Sequence, residues 1–206
     1  VTARLVVLAS GSGSNLAAIV TACESGVLDA QVVGVASDVT TSGALQRAGD
    51  APTAVVDRRA FATREDFDHA LADVVAAWAP NLVILAGFMR LLGATFLDRF
   101  TERVINLHPA LPGDLPGLRA IERAHEESRT TGRTTTGAMV HFVPDEGMDD
   151  GPVILSRTVP IHPDDSLEAL TARVRAVEHQ LLVDAIGLVL AESTLEPPIY
   201  IGEQKP

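Results

Sequence analysis

The chain has 206 residues, a formal net charge of −11, and a composition that is 47% apolar and 21% charged. Those proportions belong to a folded globular protein and suit one α/β domain, residues 1–206, with a substantial core. The acidic balance, with no basic run, speaks against a nucleic-acid partner, and the longest apolar runs, residues 82–88 and 5–9, fall far short of the ~20 residues of a membrane span.

The start, VTARLVVLAS, goes straight into a strand and lacks the pattern of a signal peptide. Val1, standing where an initiator Met is expected, points to a trimmed N-terminus. Cys23 is the single cysteine, which leaves neither a disulfide framework nor a thiolate cluster and fits a reducing cytoplasm.

In chain order, residues 4–9 (RLVVLA) read as a strand, 15–25 as a helix, and 31–36 (QVVGVA) as a strand. A helix over 43–48, a strand over 53–56, a helix over 64–79 and a strand over 81–86 (NLVILA) follow. Next come a strand at 104–107, a helix at 117–127, and strands at 138–143 and 153–159. The continuous apolar runs are those of strands covered on both faces. Asp165 to Glu168 (DSLE) resembles a capping box opening a long last helix. Its Leu170, Val174, Val177 and Leu181 fall at spacings of four, three and four and form one buried stripe. Strand and helix in alternation predict a Rossmann-like, doubly wound, mostly parallel sheet.

Ligands in such sheets sit beyond the carboxyl ends of the strands. Residues 11–15, 87–92 and 145–150 each follow a predicted strand and 106–108 finish one, so all four groups are expected on one edge.

Ser10 to Asn15 (SGSGSN) is a run of small residues between strand and helix, where backbone N–H groups and the helix dipole can hold a phosphate. The same residues could form only a tight turn with a Ser or Asn cap. A dinucleotide fingerprint would need glycine at position 16, which is Leu16, and this disfavours a dehydrogenase.

Asn106 and His108 are two apart at a strand end, so their side chains share a face. Amide and imidazole suit a developing oxyanion, and His can move a proton near neutrality. His108 could equally bond only to backbone before Pro109. Asp149 and Asp150 lie in the acidic loop PDEGMDDGP, where a carboxylate could hold His108 charged or simply be solvated. No set of residues has metal-ligand spacing, so no metal is expected. Arg175 and Glu178 are neighbours on the last helix and could be an ion pair. His141, in mid-strand, reads as a packed residue, and Trp78 as core.

The stretches LVVLASGSGSNLAAI, LVILAGFMRLL, VINLHPALPG, MVHFVPDEGMDDGPVI and TARVRAVEHQLL stand in the order found in glycinamide ribonucleotide formyltransferases, and the chain resembles that family from Arg4 to about Leu190. The resemblance implies the formyltransferase fold and transfer of a formyl group from 10-formyltetrahydrofolate, as co-substrate, to the amine of glycinamide ribonucleotide in purine synthesis. It implies catalytic roles for Asn106, His108 and Asp149, with His108 protonated and kept so by Asp149. Gly13, Ser14 and Asn15 would hold the ribonucleotide phosphate, and Arg175 and Glu178 would approach the ribonucleotide. Arg64, Met89, Arg90, Leu91, Leu92, Asn106, Pro144 and Asp145 would serve the folate. Phosphate binding would thus fall to about residues 1–100, and folate binding and chemistry to 101–206, in a monomer or homodimer.

The chain departs from the family where many members read HPSLLPxYPG and it reads HPALPGDLPG. Arg119 stands where many have His, and the segment from Gly117 to His141 is longer than in compact bacterial members. The rival activities are a formyltetrahydrofolate hydrolase, a methionyl-tRNA formyltransferase, which carries an additional RNA-binding domain, a formyltransferase for an amino sugar nucleotide, and a non-catalytic nucleotide binder.

Overall fold

In the computed structural model, which describes residues 2–195, Leu5 and Val7 bury against one helical layer and Val6 and Leu8 against the other. The expected boundary of 1–206 takes in residue 1 and residues 196–206, which lie outside the described residues. This two-sided burial is why the strand is apolar throughout rather than alternating. The strands are β1 (Ala3–Leu8), β2 (Ala30–Ser37), β3 (Thr53–Val55), β4 (Leu82–Leu85), β5 (Val104–His108), β6 (Thr135–Phe142) and β7 (Val153–Pro160). They form one seven-stranded sheet in the order β3-β2-β1-β4-β5-β6-β7.

The helices are α1 (Ser14–Glu24), α2 (Gly43–Gln46), α3 (Arg64–Ala77), α4 (Ala94–Leu97), α5 (Ala120–Thr130) and α6 (Leu167–Leu195). Leu16 and Ile19 of α1 and Leu181, Leu182 and Ile186 of α6 cover one face of the sheet. Phe67, Leu71 and Val75 of α3, with Phe96 and Leu97 of α4, cover the other. The α6 stripe serves two clusters. Leu170 and Val174 pack with Ala124 and Val159, while Leu181 joins the main core. No described helix is long and apolar enough to cross a membrane.

The mostly parallel sheet agrees with the sequence, but the shared edge expected for all four ligand groups does not hold as reasoned. β1 to β5 are parallel, whereas β6 is antiparallel to β5, pairing Asn106 with His141 and His108 with Met139. The carboxyl end of β6 therefore points away from the edge where β1, β4 and β5 end. Residues 143–150 reach that edge by doubling back. Val143 N–H donates to the Val104 carbonyl at 2.9 Å, and Glu146 then accepts from the Ala94 N–H of α4 at 3.1 Å. Asp149 finally accepts from the Gly117 N–H at 2.8 Å.

Some boundaries shift for local reasons. The helix expected from 117 begins at Ala120, because Gly117 and Arg119 hold left-handed φ values of 80° and 60°. The cap of α6 is Ser166, whose Oγ accepts from the Ala169 N–H. Asp165 is instead bonded by Arg173 at 2.6 Å and by the His162 N–H at 2.8 Å. β6 starts at Thr135, ahead of the expected 138, and α4 lies where no helix was expected.

Gly34 of β2 lies beneath Trp78, which is half-buried: a Cβ on Gly34 would come within 2.1 Å of the indole. Gly34→Ala should lower stability by about 1–3 kcal/mol in urea unfolding, as overpacking does. Adding Trp78→Leu should recover part of that loss. An unchanged unfolding midpoint in the single variant would show that this contact does not constrain the fold.

Candidate active site

The chain leaves β1 and turns into α1 through Gly13, whose φ of 78° suits glycine and whose Cβ, if present, would lie 2.5 Å from the Ala44 Cα. No side chain caps α1, so the Ser or Asn cap considered from sequence is not made. The first N–H groups of the helix are left to face a cleft, as an anion site requires. Ser14 and Asn15 line that cleft, with Arg175 and Glu178 of α6. Glu178 is 6% exposed and accepts from Asn15 Nδ2 at 3.4 Å. Burial pushes its carboxyl up, against the pull of Asn15 and Arg175. Among the described residues it makes no ion pair with Arg175, so the simple pairing considered from sequence is not formed. The Asn15 Oδ1 is buried with no partner.

Asn106, His108 and Asp149 also line the cleft. Asn106 Nδ2 donates to Asp149 Oδ1 at 3.0 Å and lies 3.1 Å from His141 Nε2. His141 Nδ1 is 2.8 Å from the Phe142 carbonyl. A carbonyl only accepts, so the ring proton belongs on Nδ1 and Nε2 accepts from Asn106. Both amide hydrogens of Asn106 are thereby engaged.

His108 is almost fully buried, with Nδ1 3.2 Å from Asp149 Oδ2 and Nε2 3.0 Å from the Leu115 carbonyl. Each ring nitrogen faces an oxygen that can only accept while Asp149 is ionised, and only the imidazolium satisfies both. Burial nevertheless outweighs Asp149 and Leu115 and holds the imidazole below its ordinary value. Burial thus opposes the Asp149 carboxylate that the sequence reading expects to keep His108 protonated. Burial also acts to raise the Asp149 carboxyl. His141, the Gly117 N–H and His108 overcome it, and the net displacement is downward.

The cleft encloses about 570 Å³. Met89, Arg90, Leu91 and Leu92 form one wall and Asp145 to Asp149 another, with Leu118, Arg119 and Ile121 of the 117–121 segment beside them. Arg64 and Pro144 do not line it. Arg64, the first residue of α3, lies behind Glu146, which takes its Nη1 at 2.9 Å. Asp150 is likewise off the wall, which separates it from Asp149. Among the described residues no group of three or more His, Cys, Asp or Glu is placed to hold a metal.

Several members of this site were not visible in the sequence. His141 read as packing, and it is buried, yet it fixes the Asn106 amide through a strand pairing that only the antiparallel register creates. Gly117 N–H and the Leu115 carbonyl act through backbone, for which side-chain chemistry offers no signal.

The formyl transferase family profile matches residues 3–186. The chain is 40% identical over 180 residues to the phosphoribosylglycinamide formyltransferase of Escherichia coli (strain K12), spanning 86% of this chain and 82% of that one. It is 40% identical over 205 residues to the phosphoribosylglycinamide formyltransferase of Schizosaccharomyces pombe, spanning 93% and 99%. Glycinamide ribonucleotide transformylase 1 from Symbiobacterium toebii superposes with a TM-score of 0.87 at 38% identity, over 93% of this chain and 89% of that one.

The burial of His108 sets a measurable titration. NMR of the labelled imidazole should give a midpoint below the ordinary 6.5, and Asp149→Asn, which removes the attractive charge, should lower it further. Between that midpoint and 6.5 the unfolded chain binds a proton that the fold does not, so this group subtracts stability as pH falls through the window. A midpoint above 6.5, or one that rises in Asp149→Asn, would contradict this account of the site.

Proposed function

The chain belongs to the formyl transferase family, and from that membership we propose that it moves the formyl group of 10-formyltetrahydrofolate to the amine of glycinamide ribonucleotide, a step of purine synthesis in the cytoplasm. The observation that carries this reading is the layout of one cleft. That cleft is lined both by an uncapped helix N-terminus with Asn15 and Glu178 and by Asn106, His108 and Asp149. The first set suits a phosphorylated acceptor. The second suits an acyl carbon passing through a tetrahedral intermediate. The wall of Met89 to Leu92 offers backbone and apolar side chains to a flat heterocycle.

In the proposed mechanism the neutral amine attacks the formyl carbon of the donor. The new C–N bond forms as the carbonyl π pair moves to oxygen, and the nitrogen becomes cationic. Asn106 and His108 flank the oxygen. Negative charge developing there offsets the burial cost of the imidazolium, so His108 takes the proton released by the amine, directly or through water. The charged ring is then satisfied by Asp149. As the tetrahedral centre collapses, the C–N bond to N10 breaks and the proton passes to that nitrogen, which restores neutral His108. The imidazolium is thus favoured in the transition state more than in the resting site, which is the difference that accelerates a reaction.

Substrate groups compete with hydrogen bonds made inside the protein. The Asn106 amide can donate to a formyl oxygen only by giving up Asp149 or His141, and His108 Nε2 has to leave the Leu115 carbonyl to face substrate. No step calls for a metal or a covalent enzyme intermediate.

Absorbance-monitored loss of 10-formyltetrahydrofolate, with no added metal, should require glycinamide ribonucleotide. Asn106→Ala and His108→Ala should each lower kcat by about 10²–10³, the usual loss for one oxyanion donor. Donor loss without the ribonucleotide would identify a hydrolase, and either variant within a few-fold of the parent would remove that residue from the mechanism.

A further inference from the structure

The crevice between the ends of β1 and β4 is the switch point of this sheet, and one buried acid sits beneath both of its lips. We propose that Asp38 is a positioning residue for formyl transfer: through Ser10 and Arg90 it holds the Met89–Leu92 wall of the cleft in register with the turn that leads to α1. The proposal rests on the functional reading above for the identity of the formyl donor.

Asp38 follows β2 directly, and its side chain is only 1% exposed. Both of its oxygens are engaged at short range. Ser10 Oγ donates to Oδ1 at 2.6 Å and Arg90 Nε donates to Oδ2 at 2.6 Å. Ser10 Oγ accepts in turn from the Met89 N–H at 2.9 Å, and the Ser10 N–H donates to the Gly87 carbonyl at 3.0 Å. One carboxylate therefore ties down the Arg90 side chain and, through one hydroxyl, the Met89 backbone.

The core anchors the wall at Phe88 and Leu92, on either side of its exposed part. Met89 and Leu91 are 53% and 48% exposed, so burial does little to hold them, and no regular element begins until Ala94. Burying a carboxylate is costly unless it is paired and hydrogen-bonded. An apolar residue of similar size would serve stability as well or better, and the bonds made here lead to cleft residues on two separate loops. Ordering the wall in advance removes an entropy cost that binding would otherwise meet. Loss of the carboxylate should therefore appear in KM for the formyl donor rather than in the chemical step.

The test is steady-state kinetics of Asp38→Ala, Asp38→Asn and Ser10→Ala with both substrates varied, alongside thermal melting. Turnover by the parent is measured first, so failure of the functional reading is seen separately. Asp38→Ala should raise the donor KM about tenfold, with kcat and the ribonucleotide KM changed by less than about threefold. Asp38→Asn keeps an acceptor for Ser10 and should show a smaller rise. Ser10→Ala should raise the same constant, and the double variant should rise by less than the product of the two singles. The proposal is overturned if the donor KM stays within about twofold of the parent. It is also overturned if kcat and both KM values worsen together in step with a falling Tm. Should Asp38→Ala fail to fold, Asp38→Asn and Ser10→Ala decide by the same criteria.

Discussion

Asp149 is where three separately built parts of the cleft meet. Its carboxylate takes the Asn106 amide and the Gly117 N–H and lies beside His108. It thereby joins the end of β5, the approach to α5 and the loop that returns from β6. The loop is committed to this contact by its backbone: Asp149 has φ 56°, a conformation Asp tolerates better than most residues. Leu115 and Arg119, also left-handed at 44° and 60°, flank the same cleft. Such residues carry strain of order 1–3 kcal/mol each. At Asp149 and Leu115 the hydrogen bonds are directed at Asn106, Gly117 and His108.

The Asn106–His108–Asp149 group is hydrogen-bonded within the protein. Buried polar groups have to be paired, and Asn106 and His108 find partners inside the protein, in His141, Asp149 and Leu115. Substrates therefore exchange one set of bonds for another. In the proposed mechanism the exchange favours the transition state because the oxyanion adds to the Asp149 carboxylate in stabilising a charged His108. Burial holds the His108 imidazole below its ordinary value, and in the proposed mechanism the ring gains charge as charge develops opposite it.

The rest of the sheet determines where these events can occur. β1 and β4 are adjacent although two strands and three helices separate them in sequence, and the loops leaving them diverge to opposite faces. That divergence opens the crevice in which an α/β sheet binds its ligands. The Ser10 N–H bond to Gly87 closes its floor, and α1 brings its uncapped N–H groups to one end. The apolar layers on the two faces leave the strands no freedom to slide, since a one-residue slip would move every buried side chain to the wrong face.

Local physics was enough to read much of this from sequence. Unbroken apolar runs at 4–9, 31–36 and 81–86 identify strands buried on both faces, and the spacing from Leu170 to Leu181 identifies the inner face of α6. The small residues after β1 mark a turn into a helix, and Asn106 and His108 share a face because side chains alternate along a strand. Each of these follows from neighbours within a few residues. What only the tertiary structure decided depends on groups far apart in sequence. The direction of β6 is one case, and with it the doubling back of Asp149 and the partnership of His141 with Asn106. The shielding of Arg64 by Glu146, 82 residues away, is another. The protonation of His108 is a third, because the balance between burial and a nearby carboxylate exists only once both are enclosed. Periodicity reports which face of an element is apolar, but it carries no information about which way the next strand runs or how much water is left around a ring.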